Sequence, residues 1–324
     1  MPTDFSPDFT GVASADRSID QRFQFIRQAL APAEQLMIAL TLCVGLLAFT
    51  LAQISGQAVA WDKFLISFVP SVGLILLGCF VRNKRNMPRA AMTAISAGIY
   101  IGFSGVIAIL IYLRFPFDVP MIDDRLMAID AALFGYSWQG FTTAMATYPT
   151  LGKVIGAIYG TSLAQLFLVI FILGFLGRLV DLHRLLITGT LSLLMAVGFW
   201  WTWPSLGPSA YTSLPVEVET ALGLVHGHAE GSFLMQMATS GVPLISPEII
   251  MGTIAFPSYH TVMLCLAVGF VWRTWAFWPM VLLNIGMLPS ILSHGGHHLS
   301  DMLGGIVVFF IAFLIAVKLV PRDG

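Results

Sequence analysis

Gly295-Gly296-His297-His298-Leu299-Ser300-Asp301 runs directly into Met302-Leu303-Gly304-Gly305-Ile306-Val307-Val308-Phe309-Phe310, and the apolar run goes on to position 319 with one charge, Lys318. About 20 such residues suffice for one helical crossing of a bilayer. This one opens on two imidazoles and a carboxylate, and ionisable groups near a membrane are costly unless they have a partner or a task. A second junction of the same kind, Phe256-Pro257-Ser258-Tyr259-His260, leads into Thr261-Val262-Met263-Leu264.

Working outward, the chain of 324 residues is 57% hydrophobic and 10% charged, with mean hydropathy +0.85. That is more apolar surface than a water-soluble domain of this length can hide. The expected fold class is all-α, a polytopic transmembrane bundle of about eight helices at roughly 34–54, 64–82, 91–113, 153–177, 185–203, 258–274, 276–293 and 298–319. Residues 1–30 read as a cytoplasmic tail with a short interfacial helix. They lack the layout of a cleavable signal peptide, so the first apolar run is expected to stay. Cys43, Cys79 and Cys265 fall inside predicted spans and read as packing residues rather than disulfide partners. A net charge of −1 offers no basic face for nucleic acid.

Basic residues set the orientation. Twelve (Arg17, Arg22, Arg27, Arg82, Lys84, Arg85, Arg89, Arg178, Arg184, Arg273, Lys318 and Arg322) fall on one side of the eight spans, and four (Lys63, Arg114, Arg125 and Lys153) on the other. Both termini are then cytoplasmic, and both histidine motifs face outward. The outward segments 114–152 and 204–257 are too long for simple turns and are expected to roof a cavity. Within the first, residues 123–138 have apolar side chains at near-helical spacing, which predicts a helix lying along the interface. Trp200, Trp201 and Trp203 suit the headgroup zone at the outer end of the fifth span.

His297 and Asp301 are four apart and share one helical face. An Asp that accepts from one ring nitrogen leaves the other free to attack. Gly296 allows close approach, and the helix start offers N–H groups to an anion. Pro257 opens the sixth span and Ser258 caps it or meets a phosphate oxygen. His260 lies in its first turn, on the same membrane face as His297. A nucleophile and an acid/base at one site are the minimum for phosphoryl transfer through a covalent intermediate. A metal site is the sharper rival, because His294 and His298 have i, i+4 spacing. Against it stand Gly295 and Gly296 between them and the lack of cysteine, so neither metal nor cofactor is expected. His226-x-His228 reads as a solvated loop feature, His183 as an interfacial residue, and Met235 and Met237 as loop packing.

Pro257-Ser258-Tyr259-His260 and Gly295-x-His297-x-x-x-Asp301 resemble, in order and placement, the second and third motifs of the type 2 phosphatidic acid phosphatase superfamily. The form Phe-Pro-Ser-x-His is most similar to the branch containing inositol phosphorylceramide synthase, as is the weaker element Ile129-Asp130-Ala131-Ala132-Leu133-Phe134-Gly135. The resemblance covers about 91–319. It implies a six-helix catalytic core over 91–324, with two additional transmembrane helices in 31–90. It further implies that His297 attacks phosphorus, steadied by Asp301, and that His260 protonates the leaving oxygen and then activates water or a polyol. The usual first motif is missing, and Ile291 stands where many members have Arg. No Lys or Arg occurs between Arg184 and Arg273. Phosphate binding is therefore expected from Lys153 and Arg125, helped by Ser258, Gly296, His294 and His298.

The expected partners are a lipid phosphate or phosphodiester, a water or polyol acceptor, and the membrane. The expected location is the inner membrane of a bacterium, with the site facing the periplasm. A metal-dependent membrane enzyme and a catalytically inactive lipid-binding or transport protein remain as alternatives.

Overall fold

A computed structural model describes residues 29–224 and 226–322; most of the expected N-terminal tail, with its short helix, lies outside the described residues. Among the described residues the chain is helical and without strands. In chain order the helices are α1 (Pro32–Ser55), α2 (Trp61–Lys84), α3 (Pro88–Tyr112), α4 (Asp123–Phe134), α5 (Trp138–Met145), α6 (Pro149–Gly160), α7 (Ser162–Leu176) and α8 (Leu179–Thr202). There follow α9 (Val216–Leu222), α10 (His228–Ser240), α11 (Tyr259–Gly269), α12 (Phe277–Ser293) and α13 (Leu299–Leu319).

Five of these (α1, α2, α3, α8 and α13) are long and apolar enough to cross a membrane, and α6 with α7 is as apolar when taken as a pair, bent by 52° at the break between them. The protein is therefore an integral membrane bundle. The apolar span expected at 153–177 is thus divided between two helices. Gly160 ends α6, and the Thr161 hydroxyl donates to the Ile158 carbonyl at 2.6 Å, drawing that acceptor out of the helical ladder. The span expected at 258–274 stops at Gly269 and gives way to a turn in which Thr274 Oγ1 donates to the Val271 carbonyl. α11 and α12 are shorter apolar helices, and the turn between them reaches the far end of the bundle, where Arg178 donates to the Trp272 carbonyl at 2.8 Å.

The inner core lies between α3, α7, α8 and α11, where Ile95, Val169, Leu173, Leu182 and Val262 are fully buried. A second cluster sits under the long segments 114–152 and 204–257 and holds Phe115, Leu206, Leu234, Met237 and Ile245, with Met235 at its edge. Trp200 belongs to this cluster rather than to a headgroup belt. It is buried edge-on to Phe115 and Phe117, and its indole N–H donates to the Ser205 carbonyl at 2.8 Å. Only Trp203 of the three tryptophans is well exposed. The Tyr112 hydroxyl donates to the Ile249 carbonyl at 2.6 Å and accepts from Met251 N at 2.8 Å, tying the 204–257 segment to the C-terminal end of α3.

The opposite end of the bundle has its own polar knot. Arg82 holds Glu34 with two bonds of 2.6 and 2.8 Å, and His183 Nε2 lies 3.5 Å from the same carboxylate. His183 is therefore buried, not interfacial. Arg184 and Arg322 close this end through the Val320 carbonyl and Asp181. The three cysteines are free thiols.

Candidate active site

The turn between α12 and α13 is built on Gly296, whose φ of 59° is left-handed. A Cβ on Gly207, itself at φ 90°, would strike the Gly296 carbonyl, so the 205–209 loop and the histidine turn touch backbone to backbone. One turn into α13, Asp301 Oδ2 lies 3.0 Å from His297 Nδ1 and accepts from His298 N at 2.8 Å. Asp301 Oδ1 is buried with no hydrogen-bond partner among the described residues. The hydroxyl of Tyr136 donates to the His297 carbonyl at 3.3 Å. Nδ1 of His297 is thereby committed to Asp301, and Nε2 is the nitrogen left to face a ligand.

α11 delivers the second histidine. Ser258 is its N-cap, accepting from Thr261 N at 3.3 Å, and Ser258 N donates to the Asp301 carbonyl at 3.0 Å. Gly305 of α13 faces this turn; a Cβ there would meet the Ser258 carbonyl and lie 2.9 Å from the Thr261 Cβ. With no side chain in between, the heads of α11 and α13 approach closely. The rings of His260 and His297 consequently sit 5.8 Å apart, centroid to centroid, inclined at 66°. Ser258 Oγ is 3.4 Å from His297 Nε2. Tyr159 of α6 stacks on His260 at 4.5 Å, with its hydroxyl 3.5 Å from Nδ1.

α4 turns two of its three acids inward and leaves Asp124 exposed. Asp123, Leu126 and Asp130 are buried on one face while Ile129, Leu133 and Phe134 are exposed, so the interfacial helix has an acidic inner face. Asp130 accepts from Leu299 N at 2.6 Å and Ser300 N at 2.9 Å, which caps α13 from another helix. The N–H groups expected to hold an anion are therefore already taken. Asp123 accepts from Leu206 N, Gly207 N and the Tyr211 hydroxyl, and lies 3.3 Å from His298 Nε2.

Several expected ligand-binding residues lie elsewhere. His298 points to Asp123. His294 is fully buried between Ser293 Oγ at 3.0 Å and the Leu222 carbonyl at 3.3 Å. These two rings do not converge, and no group of three or more His, Cys, Asp or Glu among the described residues is arranged to hold a metal. Gly296 shapes the turn. Lys153 and Arg125 are exposed, and no Lys or Arg lines either hollow described below. Of the other two cations grouped with them in the sequence, Arg114 pairs with Asp118 and Lys63 with Glu248.

His226 corrects the reading of a solvated loop pair. It is buried, whereas His228 is exposed. His226, His260 and His297 all line one polar hollow of about 20 Å³, together with Tyr159, Ser209 and Gly295. Burial foremost, then the charge of His297, pushes the His226 imidazole down to about 4. A space of that size holds roughly one water. An apolar cavity of about 370 Å³ adjoins it between α3, α7, α8 and α11, and Gly252, Thr253, Ile254 and His260 line both. His260 stands at the junction of a polar and an apolar compartment. Tyr159, Asp123 and Tyr136 were given no role by sequence, and His226 was read only as half of a solvated loop pair; the recurrence of acids at 123 and 130, seven apart, is the one local signal for the acidic face.

A helical membrane bundle with a His–Asp pair at the head of one helix, facing a second His at the head of another, has the parts of a membrane-embedded phosphoryl-transfer site. The PAP2 superfamily profile matches residues 124–315, more than half of the chain, and the protein belongs to that superfamily. Its members are usually phosphatases or phosphotransferases. The match takes in Asp130, His260, His297 and Asp301 but begins beyond α3, later than position 91. No curated protein and no solved structure matches the chain.

Proposed function

We propose that this protein cleaves or transfers the phosphate-bearing headgroup of a membrane lipid through a phosphohistidine intermediate. The observation that carries the reading is the meeting of His297, Asp301 and His260 at 5.8 Å and 3.0 Å, with His260 also lining the apolar cavity. In this reaction Asp301 accepts from Nδ1–H of His297, and Nε2 attacks phosphorus. The P–O bond to the leaving oxygen breaks, and protonated His260 supplies its proton. His260, now neutral, takes a proton from water or an alcohol, whose oxygen attacks phosphorus and breaks the P–N bond. Tyr159 holds His260 by stacking, and Ser258 sits against the attacking nitrogen. The apolar cavity suits an acyl chain, which supports a lipid rather than a soluble ester.

The motif Phe256-Pro257-Ser258-Tyr259-His260 supports placement near the inositol phosphorylceramide synthase-like branch, with a sphingolipid or inositol lipid among its reactants. The twelve-to-four division of basic residues supports an extracytoplasmic site in a bacterial inner membrane. The domain reading follows: α1 and α2 as an added pair, and 91–324 as a six-helix catalytic core.

The test is a panel of lipid phosphates and phosphodiesters given to purified protein with and without inositol or other polyols, scored by product mass. Free phosphate or headgroup marks hydrolysis, and a polyol phosphate marks transfer. His297→Ala is expected to lose about a thousandfold or more, and acid-labile, base-stable label is expected on the wild-type chain during turnover. Full activity in His297→Ala ends the proposal.

A further inference from the structure

The proposed chemistry leaves one difficulty, and the same hollow answers it. A phosphoryl group needs donors or positive charge around its non-bridging oxygens. Yet no Lys or Arg lines the hollow, and the N–H groups at the head of α13 are occupied by Asp130 and Asp301. His294 and His298 are turned away onto Leu222, Ser293 and Asp123.

His226 has the opposite situation. Only 8% of it is exposed. Its backbone N–H is spent on the His294 carbonyl at 3.2 Å, which fixes the position of the residue. Neither ring nitrogen has a hydrogen-bond partner among the described residues. The ring lies edge-on to Tyr159 at 6.1 Å, and a Cβ on Gly252 would stand 3.9 Å from both His226 Nε2 and His260 Cε1. The open side of Gly252 thus lets the two imidazoles border one space. A buried imidazole normally finds a partner. One that faces the reacting histidines without a partner is placed for a ligand.

Resting on the phosphoryl-transfer reading above, we infer that His226 is a third active-site histidine, which holds the phosphoryl group by donating an N–H to a non-bridging oxygen. It takes the place of the arginine that the chain lacks. In the empty site the imidazole is neutral and still carries one N–H. The arrival of a phosphate dianion favours the protonated ring and adds charge where the oxygens lie.

The experiment compares wild type, His226→Ala, His226→Asn and His297→Ala in detergent. It measures headgroup release and, separately, the affinity for orthovanadate and inorganic phosphate. His226→Ala is expected to lower kcat/KM and the affinity for both oxyanions about 10- to 100-fold. His226→Asn, which keeps an N–H donor in less space, is expected to recover part of the loss. Added imidazole is expected to restore activity to His226→Ala, because the substitution empties a ring-sized volume in the hollow. His297→Ala is expected to lose turnover.

Oxyanion affinity within twofold of wild type in both His226 variants overturns the inference, whatever happens to turnover. If His226→Ala does not fold, His226→Asn alone decides on the same affinity criterion. Loss of activity that neither Asn nor imidazole relieves, with unchanged oxyanion affinity, makes the residue merely structural and also overturns it. Full turnover in His297→Ala sinks the phosphohistidine reading instead, and weaker oxyanion binding in His226→Ala still stands as support for a phosphate site. A wild-type protein that binds neither oxyanion overturns both.

Discussion

At the scale of single residues, the site depends on carboxylates that never need to touch a substrate. Asp301 steadies His297 directly, and Asp130 steadies the turn behind it by accepting from two α13 N–H groups. Asp130→Ala leaves those groups unpaired in a buried place, which costs about 1–3 kcal/mol. Its thermal midpoint and kcat are expected to fall with little change in KM, and Asp130→Asn is expected to recover part of both. A kcat unchanged in Asp130→Ala would remove this residue from the positioning of His297. His226 gives a pH prediction. Its imidazole is near 4 when folded and about 6.5 when unfolded. The unfolded chain therefore binds more protons between those values. The contribution to stability is whole above about pH 6.5 and is lost as pH falls toward 4. His260, His297 and Tyr159 face the same ring and are present in both proteins. The thermal midpoint of wild type is expected to drop more between pH 7.5 and 5 than that of His226→Asn. Parallel curves would contradict this.

At the scale of elements, the site is made by two helix heads brought together through small residues. Gly305 leaves no atoms between α13 and the Ser258 turn of α11. A valine there pushes the two helices apart, at a cost of about 1–3 kcal/mol. A shift of an ångström or so between reacting groups is worth about a hundredfold in rate. Gly305→Val is thus expected to lose activity out of proportion to its loss of stability. Gly198→Ala in α8, where an added Cβ meets nothing within 4 Å, is the control expected to change neither. Equal behaviour of the two variants would mean that the approach of α11 to α13 does not matter. α4 shows how an element can read correctly and still be misjudged. Its helical spacing was legible, and so was an apolar side. That the acids would form the inner face was not, because their partners lie about 80 and 170 residues away in sequence.

At the scale of the molecule, the bundle keeps its polar chemistry at its two ends and its apolar cavity near the middle. The far end is knotted by Glu34, Arg82 and His183, which joins α1 and α2 to α8. Glu34→Ala strands the Arg82 charge and is expected to cost about 3 kcal/mol or more. Glu34→Leu with Arg82→Met removes both charges and is expected to cost less than either single change. Thermal midpoints in detergent check this, and additive losses would refute the coupling. The 370 Å³ cavity gives the other prediction. Ala108 of α3 lines it but not the histidine hollow, so Ala108→Phe is expected to raise KM for long-chain lipids about tenfold, from the lost burial of one or two methylenes. A short-chain, water-soluble phosphate ester is expected to be unaffected. An equal effect on both substrates would show that the cavity does not hold the chain.

Hydropathy and spacing alone determined that this chain is a helical membrane bundle, that its histidines stand at helix heads, and that His297 and Asp301 share a face. Each of these follows from periodicity within a few turns of one helix, or from the length of an apolar run. The tertiary structure alone decided that His226 enters the hollow, that Asp130 caps α13, and that Lys153 and Arg125 stay outside. It also decided the bend at Thr161 and the burial of Trp200. Those outcomes depend on which distant backbone groups and side chains become neighbours when the helices pack, and no local pattern of residues encodes that.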